Sequence, residues 1–229
     1  MVRTVTCVFI AMAAVCISNL ARAQDDFSRL GCYLGAAGTV AFPMNYEDAL
    51  KSSEDALKAA GVGTDVSVSA DVGESLGLHA RVGCRAGWGG GELHFEWLEE
   101  FKINDLKVEV DSLEVPNAKA KVDGWALTLD GKLYPLWVLE NRLPPLARRF
   151  QPFATVGFGY LTGTIEATVE GRHVELDDWD FAARLGGGLE VYVTRNIAIN
   201  VDTTYVIPVS KALEGFNYLS VGWGVLYRF

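Results

Sequence analysis

The sequence predicts an all-β fold: an eight-stranded antiparallel up-and-down transmembrane β-barrel with a short helix in the first external loop. Three observations predict it. Apolar and polar residues alternate with a period of two in one segment after another. The polar phase of this alternation is rich in glycine and in charges of both signs. No run of about 18 apolar residues is present outside the N-terminus, so no helix is expected to span a membrane.

Residues 1–23 are expected to be a cleavable signal peptide. A basic residue precedes an apolar run over residues 7–17, which has the length of a signal-peptide core, and Ala21-Arg22-Ala23 provides the small residues of a cleavage site. Cys16 leaves a lipoprotein signal open as a less favoured alternative. We therefore expect residues 24–229 to form one β-barrel domain.

The predicted mature chain is acidic. Loss of the signal peptide removes two basic residues and no acidic ones, so the net charge changes from −9 to −11. This excludes nucleic acid as a partner, because nucleic-acid binding needs clustered Lys and Arg. Cys32 and Cys84 remain, and in an oxidising compartment they would either form one disulfide or stay as two free buried thiols. Two cysteines are too few for a zinc site, and no metal or other cofactor is expected.

Eight strands account for the alternating segments. The clearest is Leu76–Trp88, whose strict alternation is longer than a common soluble strand and long enough for a tilted transmembrane strand. The first strand, Cys32–Phe42, is weaker because it is rich in glycine and alanine. The apolar phases of the other six strands begin at Leu93, Trp125, Ala154, Phe181, Ile197 and Leu219. The last of them ends at Phe229, and we expect it to close onto the first strand.

The apolar face is expected to point outward. In a soluble ligand-binding barrel, which is the alternative, apolar side chains fill the interior and glycines there would leave holes. Here the glycines share the polar phase with the charges, which favours a lipid-facing apolar surface around a narrow polar lumen. Aromatic residues at the strand ends would form interfacial girdles: Phe42, Trp88, Trp97, Trp125, Tyr160, Tyr205, Tyr227 and Phe229.

The charges on the polar phase are expected to form one lumen network. A charge buried without a partner costs on the order of several kcal/mol, so these side chains must pair. The predicted lumen charge network consists of Arg81, Arg85, Glu92, Glu96, Asp130, Lys132, Arg184, Glu190, Asp202 and Arg228. Eight strands leave an interior just wide enough for side chains to fill, so we expect a closed barrel rather than a diffusion pore.

Short and long connections alternate along the chain. Gly89-Gly90-Gly91 and Thr194-Arg195-Asn196 are tight turns, which are expected on the periplasmic side together with the longer Pro135–Arg149 connection. The long connections, of which the first three are acidic, would then all be external: 43–74, 98–120, 161–178 and 207–217.

A repeat in the first long connection predicts the helix. Glu47-Asp-Ala-Leu-Lys51 returns as Glu54-Asp-Ala-Leu-Lys58, which puts two leucines on one helical face and forms favourable i,i+4 charge pairs, with Gly61 as a stop. We expect an amphipathic helix over residues 45–60. It would either cap the barrel mouth or offer a surface to a partner.

Several of these segments resemble a known family, the small outer-membrane β-barrel domain related to the OmpA transmembrane domain and the opacity-type proteins. Apart from the signal peptide, the resemblance rests on Tyr33-Leu34-Gly35, Gln151–Tyr160 and Leu185–Leu189. The closing segment is similar to the terminal signal read by the barrel assembly machinery, with Trp223, Tyr227 and Phe229 as its aromatic members.

The resemblance covers about residues 24–229 and implies a place in the Gram-negative cell outer membrane. It implies outer-membrane lipid and lipopolysaccharide as partners, and the assembly machinery during insertion. The helical first loop and the long Pro135–Arg149 connection depart from the family pattern. No periplasmic peptidoglycan-binding domain is expected.

The histidines are the few candidates for chemistry. Family deacylases use a His and a Ser close together in a strand; Ser75 precedes His79 by four positions, but without the expected motif. His94 lies between Glu92 and Glu96 on the lumen phase, where the three side chains could bind a metal or share a proton. Pairing of these carboxylates with lumen arginines is the favoured alternative, and no catalytic residue is assigned.

Three functions remain open at this point. The favoured one is a porin-like but closed barrel that acts in envelope structure or surface interaction, presenting its acidic external loops to a host or envelope partner. The alternative is a narrow pore for small solutes. A lipid-modifying enzyme that uses His79 and His94 is the least favoured, and we do not expect the protein to be an enzyme.

Overall fold

The described part of the chain is almost entirely β-strand. The computed structural model describes residues 30–44, 54, 58, 66–101, 103–110, 113–114, 119–144, 146–169, 172–209 and 216–229. Within these residues the strands are β1 (Gly31–Met44), β2 (Val66–Val72), β3 (Ser75–Ala86), β4 (Gly89–Phe101), β5 (Ile103–Val110), β6 (Leu113–Glu114), β7 (Lys119–Leu133), β8 (Phe150–Val169), β9 (Arg172–Tyr192), β10 (Ile197–Pro208) and β11 (Asn217–Arg228).

Eight of the strands close into a barrel in the order β1-β11-β10-β9-β8-β7-β4-β3. Every ladder is antiparallel, and apart from the closing ladder each joins strands that follow one another around the barrel in chain order. The closing ladder pairs β11 with β1, from Tyr33 opposite Arg228 to Met44 opposite Asn217. The predicted eight-stranded antiparallel up-and-down barrel is confirmed, as is the pairing of the last strand with the first.

The two faces of the strands differ as the alternation predicted. In β10, Ile199 and Val201 are each 49% exposed, whereas Asn200 and Asp202 between and beside them are 0% and 5% exposed. A strand can combine these values only if its apolar face points away from the barrel and its polar face points inward. The large exposed apolar side chains of the other barrel strands lie on the same outer surface.

Exposed aromatic side chains mark both ends of this apolar band. Trp97 lies directly opposite Trp125 in the β4–β7 ladder, near the end from which the long connections leave. Tyr160 and Phe181 have ring centroids 4.8 Å apart at the same end. Tyr227 and Phe229 stack edge to face at the other end, where the tight turns lie. We call these the long-connection end and the short-turn end of the barrel.

Parts of the long connections are themselves strands. β8 continues to Val169 and β9 begins at Arg172, with Thr164 opposite Asp177, so most of residues 161–178 is a paired hairpin. The interpretation of this stretch as a loop was wrong. β2, β5 and β6 form a small separate sheet within the stretches 43–74 and 98–120. Strand pairing therefore continues beyond the barrel wall.

The Pro135–Arg149 connection contains two short 3-10 helices, Pro135–Arg142 and Ala147–Arg149. The helix predicted over residues 45–60 lies outside the described residues apart from Glu54 and Lys58, and the predicted signal peptide also lies outside them. Among the residues that are described, no helix is both long and apolar enough to cross a membrane.

Cys32 and Cys84 are joined by a disulfide in the structure. The β1–β3 register places them directly opposite each other near the short-turn end. Cys32 shares the outward phase of Leu34 and Phe42, so the bond lies on the wall of the barrel rather than in its interior.

This bond leads to a thiol count that can be measured. The mature chain should show no thiol reactive toward Ellman's reagent when it is unfolded without reductant, and two per chain after reduction, because Cys7 and Cys16 leave with the predicted signal peptide. A Cys32→Ser variant serves as the control and should show one thiol without reduction. Two reactive thiols in the unreduced chain would contradict both the bond and the register that places the cysteines together.

Candidate functional site

The barrel interior gathers the predicted lumen charges. All ten side chains of the predicted network are buried, none more than 5% exposed. Five of them are basic and five acidic, which makes charge neutralisation within the barrel possible. The alternation of each strand places them inside, because they occupy the same phase as the buried threonines and glycines.

Near the short-turn end the charges are held by aromatic side chains. The Arg85 guanidinium lies 3.7 Å from the centroid of the Tyr134 ring. The Tyr134 hydroxyl donates a hydrogen bond to Glu190 at 3.0 Å, and the Tyr192 hydroxyl donates to the other oxygen of Glu190 at 3.3 Å. Arg228 donates to the Tyr192 hydroxyl at 3.3 Å. This end of the lumen is therefore closed by rings and guanidinium groups.

Glu92 is the next centre of the network. One carboxylate oxygen, Oε2, accepts hydrogen bonds from Lys132 Nζ and from the Tyr33 hydroxyl, both at 2.7 Å. Lys132 also lies 3.6 Å from Glu190 and 4.4 Å from the centroid of the Phe153 ring. These contacts connect side chains from five of the eight barrel strands, β1, β4, β7, β8 and β9, so they fill the lumen and do not merely line it.

Two arginine–aspartate pairs lie deeper in the barrel. Arg81 donates to Asp202 at 3.0 Å and also to Nε2 of His79 at 2.5 Å, so the imidazole accepts at that nitrogen. Arg184 forms an ion pair with Asp130, and a second nitrogen of its guanidinium donates to Thr204. Each pair joins strands that are not neighbours in the barrel.

Glu96 is bound differently from the other carboxylates. Its described partners are hydroxyl groups: Ser220 at 2.5 Å, Tyr218 at 3.1 Å and Thr39 at 3.3 Å. From Glu96 toward the long-connection end the buried side chains become mainly apolar, although Asp180, opposite Leu161, is also buried there at 1% exposure.

An apolar cluster occupies the lumen beyond Glu96. It is formed by the buried residues Ala41, Leu98, Phe101, Ala126, Leu161, Ala182, Val206 and Tyr218. Phe216 stacks edge to face on Phe101, with ring centroids 5.3 Å apart. The sequence analysis missed this apolar plug, although Leu98 continues the inward phase of Glu92, His94 and Glu96 and could have signalled it. It also missed the inward hydroxyls of Tyr33, Tyr134, Tyr192 and Tyr218.

Most of the candidates for chemistry already contact other groups. His94 is the exception among the described residues: neither ring nitrogen has a hydrogen-bond partner, and its Nδ1 lies 3.8 Å from Glu92 Oε1. The Ser75 hydroxyl donates to the backbone oxygens of Leu76 and Glu99 and not to His79. Within the described residues, two groups could place three metal ligands within 4.8 Å of one another: His79 with His94 and Glu96, and Glu92 with His94 and Asp130. The carboxylates of the second group already neutralise Lys132 and Arg184, and His79 already accepts from Arg81.

A closed antiparallel barrel with an apolar outside, aromatic side chains at both ends and paired charges inside is the architecture of a transmembrane β-barrel. The family model for the outer membrane protein beta-barrel domain matches residues 7–229. The chain belongs to this family, and it is located in the outer membrane.

The chain is similar to solved structures of outer membrane proteins. A major outer membrane protein from Thermus thermophilus is 10% identical, with a TM-score of 0.53 over 87% of this chain and 99% of that one. The outer membrane protein OprG from Pseudomonas aeruginosa is 15% identical, with a TM-score of 0.49 over 90% of this chain and 99% of that one. Neisserial surface protein A is 11% identical, with a TM-score of 0.49 over 86% and 97%. No curated protein sequence matches the chain significantly.

Proposed function

We propose that the protein is a closed, non-enzymatic outer-membrane barrel that acts in envelope structure or surface interaction through its acidic long-connection end. The filling of the lumen supports the closed state. Buried charges, several of them in ion pairs, occupy the barrel from Arg85 to Glu96, and the apolar plug continues the filling toward the long-connection end. Water and ions crossing such a lumen would have to separate buried ion pairs, which is costly in a low-dielectric interior.

The partner-facing surface is proposed from charge. The stretch 161–178, which forms most of the β8–β9 hairpin, contains five acidic residues and one basic residue. A surface of this kind favours basic partners and repels acidic ones by long-range electrostatics. We propose that the long-connection end is external and meets a host or envelope partner there. We further propose that the chain reaches this position through a cleaved signal peptide and the barrel assembly machinery, with Trp223, Tyr227 and Phe229 as the recognised end.

Conductance measurement tests the closed lumen. The chain reconstituted into planar bilayers should give no steady conductance, because the buried pairs and the apolar plug leave no continuous aqueous path. A Glu96→Gln variant is the matched probe, since it changes the carboxylate beneath the plug with little change in shape. A steady wild-type conductance that changes in Glu96→Gln would overturn the proposal in favour of the narrow pore.

Labelling of intact cells tests the orientation. A membrane-impermeant maleimide should react with Val209→Cys, because Val209 is 67% exposed at the long-connection end. Arg195→Cys, in the tight turn between β9 and β10, should react only after the cells are opened. The reverse pattern would show that the acidic end faces the periplasm and would remove it as a surface for external partners.

A further inference from the structure

The Pro135–Arg149 connection exposes large apolar side chains at the short-turn end. Val138 is 74% exposed and Leu146 is 70% exposed, while Trp137 and Leu139 are exposed by 43% and 44%. Surface apolar residues are common singly, but four of them on one short connection indicate that something covers this connection. We call residues 135–149 the rim segment.

The rim segment is held against the barrel at both ends. At its start, Tyr134 donates its backbone N–H to the carbonyl of Trp88 in the β3–β4 turn at 2.8 Å. At its end, Arg149 donates to the carbonyl of Val193, beside the β9–β10 turn, at 3.2 Å. The segment therefore lies along the edge of the barrel wall and does not hang free as a loop.

The β3–β4 turn lies close to Trp137 of the rim segment, and its Gly87 leaves room for the indole. Gly87 has a φ of +61°, and a Cβ added there would lie 3.1 Å from Nε1 of the Trp137 indole. A side chain at position 87 would be strained by the left-handed backbone and would also crowd the indole. The close approach holds Trp137 at the level where the barrel wall ends, beside the exposed Trp88.

The charge of the rim segment is opposite to that of the chain. It contains three arginines and one glutamate, in a protein whose net charge is −9. Arg142 and Arg149 are exposed, and Arg148 is half-buried because its Nε donates to the carbonyl of Leu143 at 2.9 Å. Guanidinium groups bind phosphate oxygens well, and arginine stems can lie along apolar surface while the charged head reaches an anionic group.

We propose that the rim segment is an interfacial anchor that binds the anionic phospholipid surface of the leaflet at the short-turn end. Its apolar residues enter the boundary between headgroups and acyl chains, as segments with an apolar face and basic residues do. Trp137 takes the place that tryptophan commonly holds at the membrane–water interface. The exposed arginines bind the lipid phosphates. The partner is a lipid surface because the barrel wall that carries the segment is itself surrounded by lipid.

An environment-sensitive label on the rim segment tests the proposal. The mature chain with Val138→Cys, labelled with the fluorophore NBD and refolded into vesicles, is quenched with aqueous iodide; the matched control carries the same label at Arg195→Cys. The vesicles are phosphatidylcholine alone or phosphatidylcholine with phosphatidylglycerol. Heat-modifiable migration on gels shows that each labelled chain is folded.

The label at position 138 should be quenched several-fold less than the label at position 195 in both lipids. The ratio between the two should increase when phosphatidylglycerol is present; the ratio is compared because an anionic surface repels iodide from both labels. Replacing Arg142 with Gln should remove much of the additional protection and leave the rest; Arg149 is kept, because it also binds the carbonyl of Val193 and holds the segment to the barrel. Equal quenching at both positions would show that the segment lies in water and would overturn the proposal. A protein partner would then be the remaining candidate. Protection that does not depend on phosphatidylglycerol or on Arg142 would overturn the recognition of anionic lipid.

Discussion

Asp130→Ala is expected to lower the free energy of unfolding of the barrel by about 3–5 kcal/mol, the usual cost of removing one partner from a buried ion pair. Asp130 and Arg184 are at most 3% exposed, and the guanidinium would be left in the lumen without its carboxylate. Urea unfolding of the protein in lipid vesicles, followed by tryptophan fluorescence, measures the loss.

Two further variants separate the charge effect from simple truncation. Asp123→Ala removes an exposed aspartate from the same strand and should change the free energy of unfolding by no more than about 0.5 kcal/mol. The double variant Asp130→Ala/Arg184→Met removes both charges and should recover most of the loss, since no unpaired ion remains. If Asp130→Ala costs no more than Asp123→Ala, the lumen charges do not depend on one another.

Leu129→Arg is expected to cost about 2–4 kcal/mol, because it would place a guanidinium against hydrocarbon near the middle of the bilayer. Leu129 is 54% exposed on the outer face of β7, opposite Leu93 and Phe158 in the neighbouring strands. The same vesicle unfolding experiment measures the change.

Leu133→Arg is a matched control on the same strand, the same face and nearly the same exposure, 50%. It lies at the short-turn end, where arginine reaches the interface, so its cost should be only about 0–1 kcal/mol. Equal costs at the two positions would show that depth in the membrane has no influence, which contradicts the assignment of the outer face to lipid.

The number of strands and the direction of each face could be predicted from the sequence, because a half-buried strand imposes a period of two on hydrophobicity. Arg81, Asp130 and Asp202 could be placed in the lumen because they occupy polar positions of the alternating strands. The pairs they form could not be predicted in this way, since Arg81 reaches Asp202 across the lumen only through the stagger of non-adjacent strands. Alternation within one strand contains no information about that stagger.

The disulfide could not be predicted for a similar reason, because alternation within a strand does not give the register between two strands. Phase places both Cys32 and Cys84 on the outer wall, but whether they meet depends on the register between β1 and β3. A one-residue shift would turn one of them to the other face. The structure places them opposite each other.

Strand ends were the least predictable feature. Alternation of apolar and polar residues ends where the lipid ends, so Thr162, Thr164 and Ile165 were interpreted as part of a loop. The strands continue because β-branched residues favour extended backbone and the ladder still pairs Ile165 with Leu176. Beyond the membrane, pairing between strands no longer needs an apolar face.

The ladder between β1 and β11 differs from the other seven in the sequence separation of its residues. Thr39 and Ser220, whose hydroxyls lie 2.6 Å apart across the lumen side of this ladder, are separated by 181 positions in the chain. The other ladders join consecutive barrel strands and can form by local zipping, whereas this one must close a loop of almost the whole domain. Until the β1–β11 ladder forms, β1 and β11 are unpaired edge strands.

A bare edge presents a row of unpaired N–H and C=O groups, which hydrocarbon does not tolerate. An open sheet of these eight strands would therefore be a poor solute in lipid even with its apolar face complete. The last ladder removes both unpaired edges, so we expect stable insertion of this chain to require closure of the barrel.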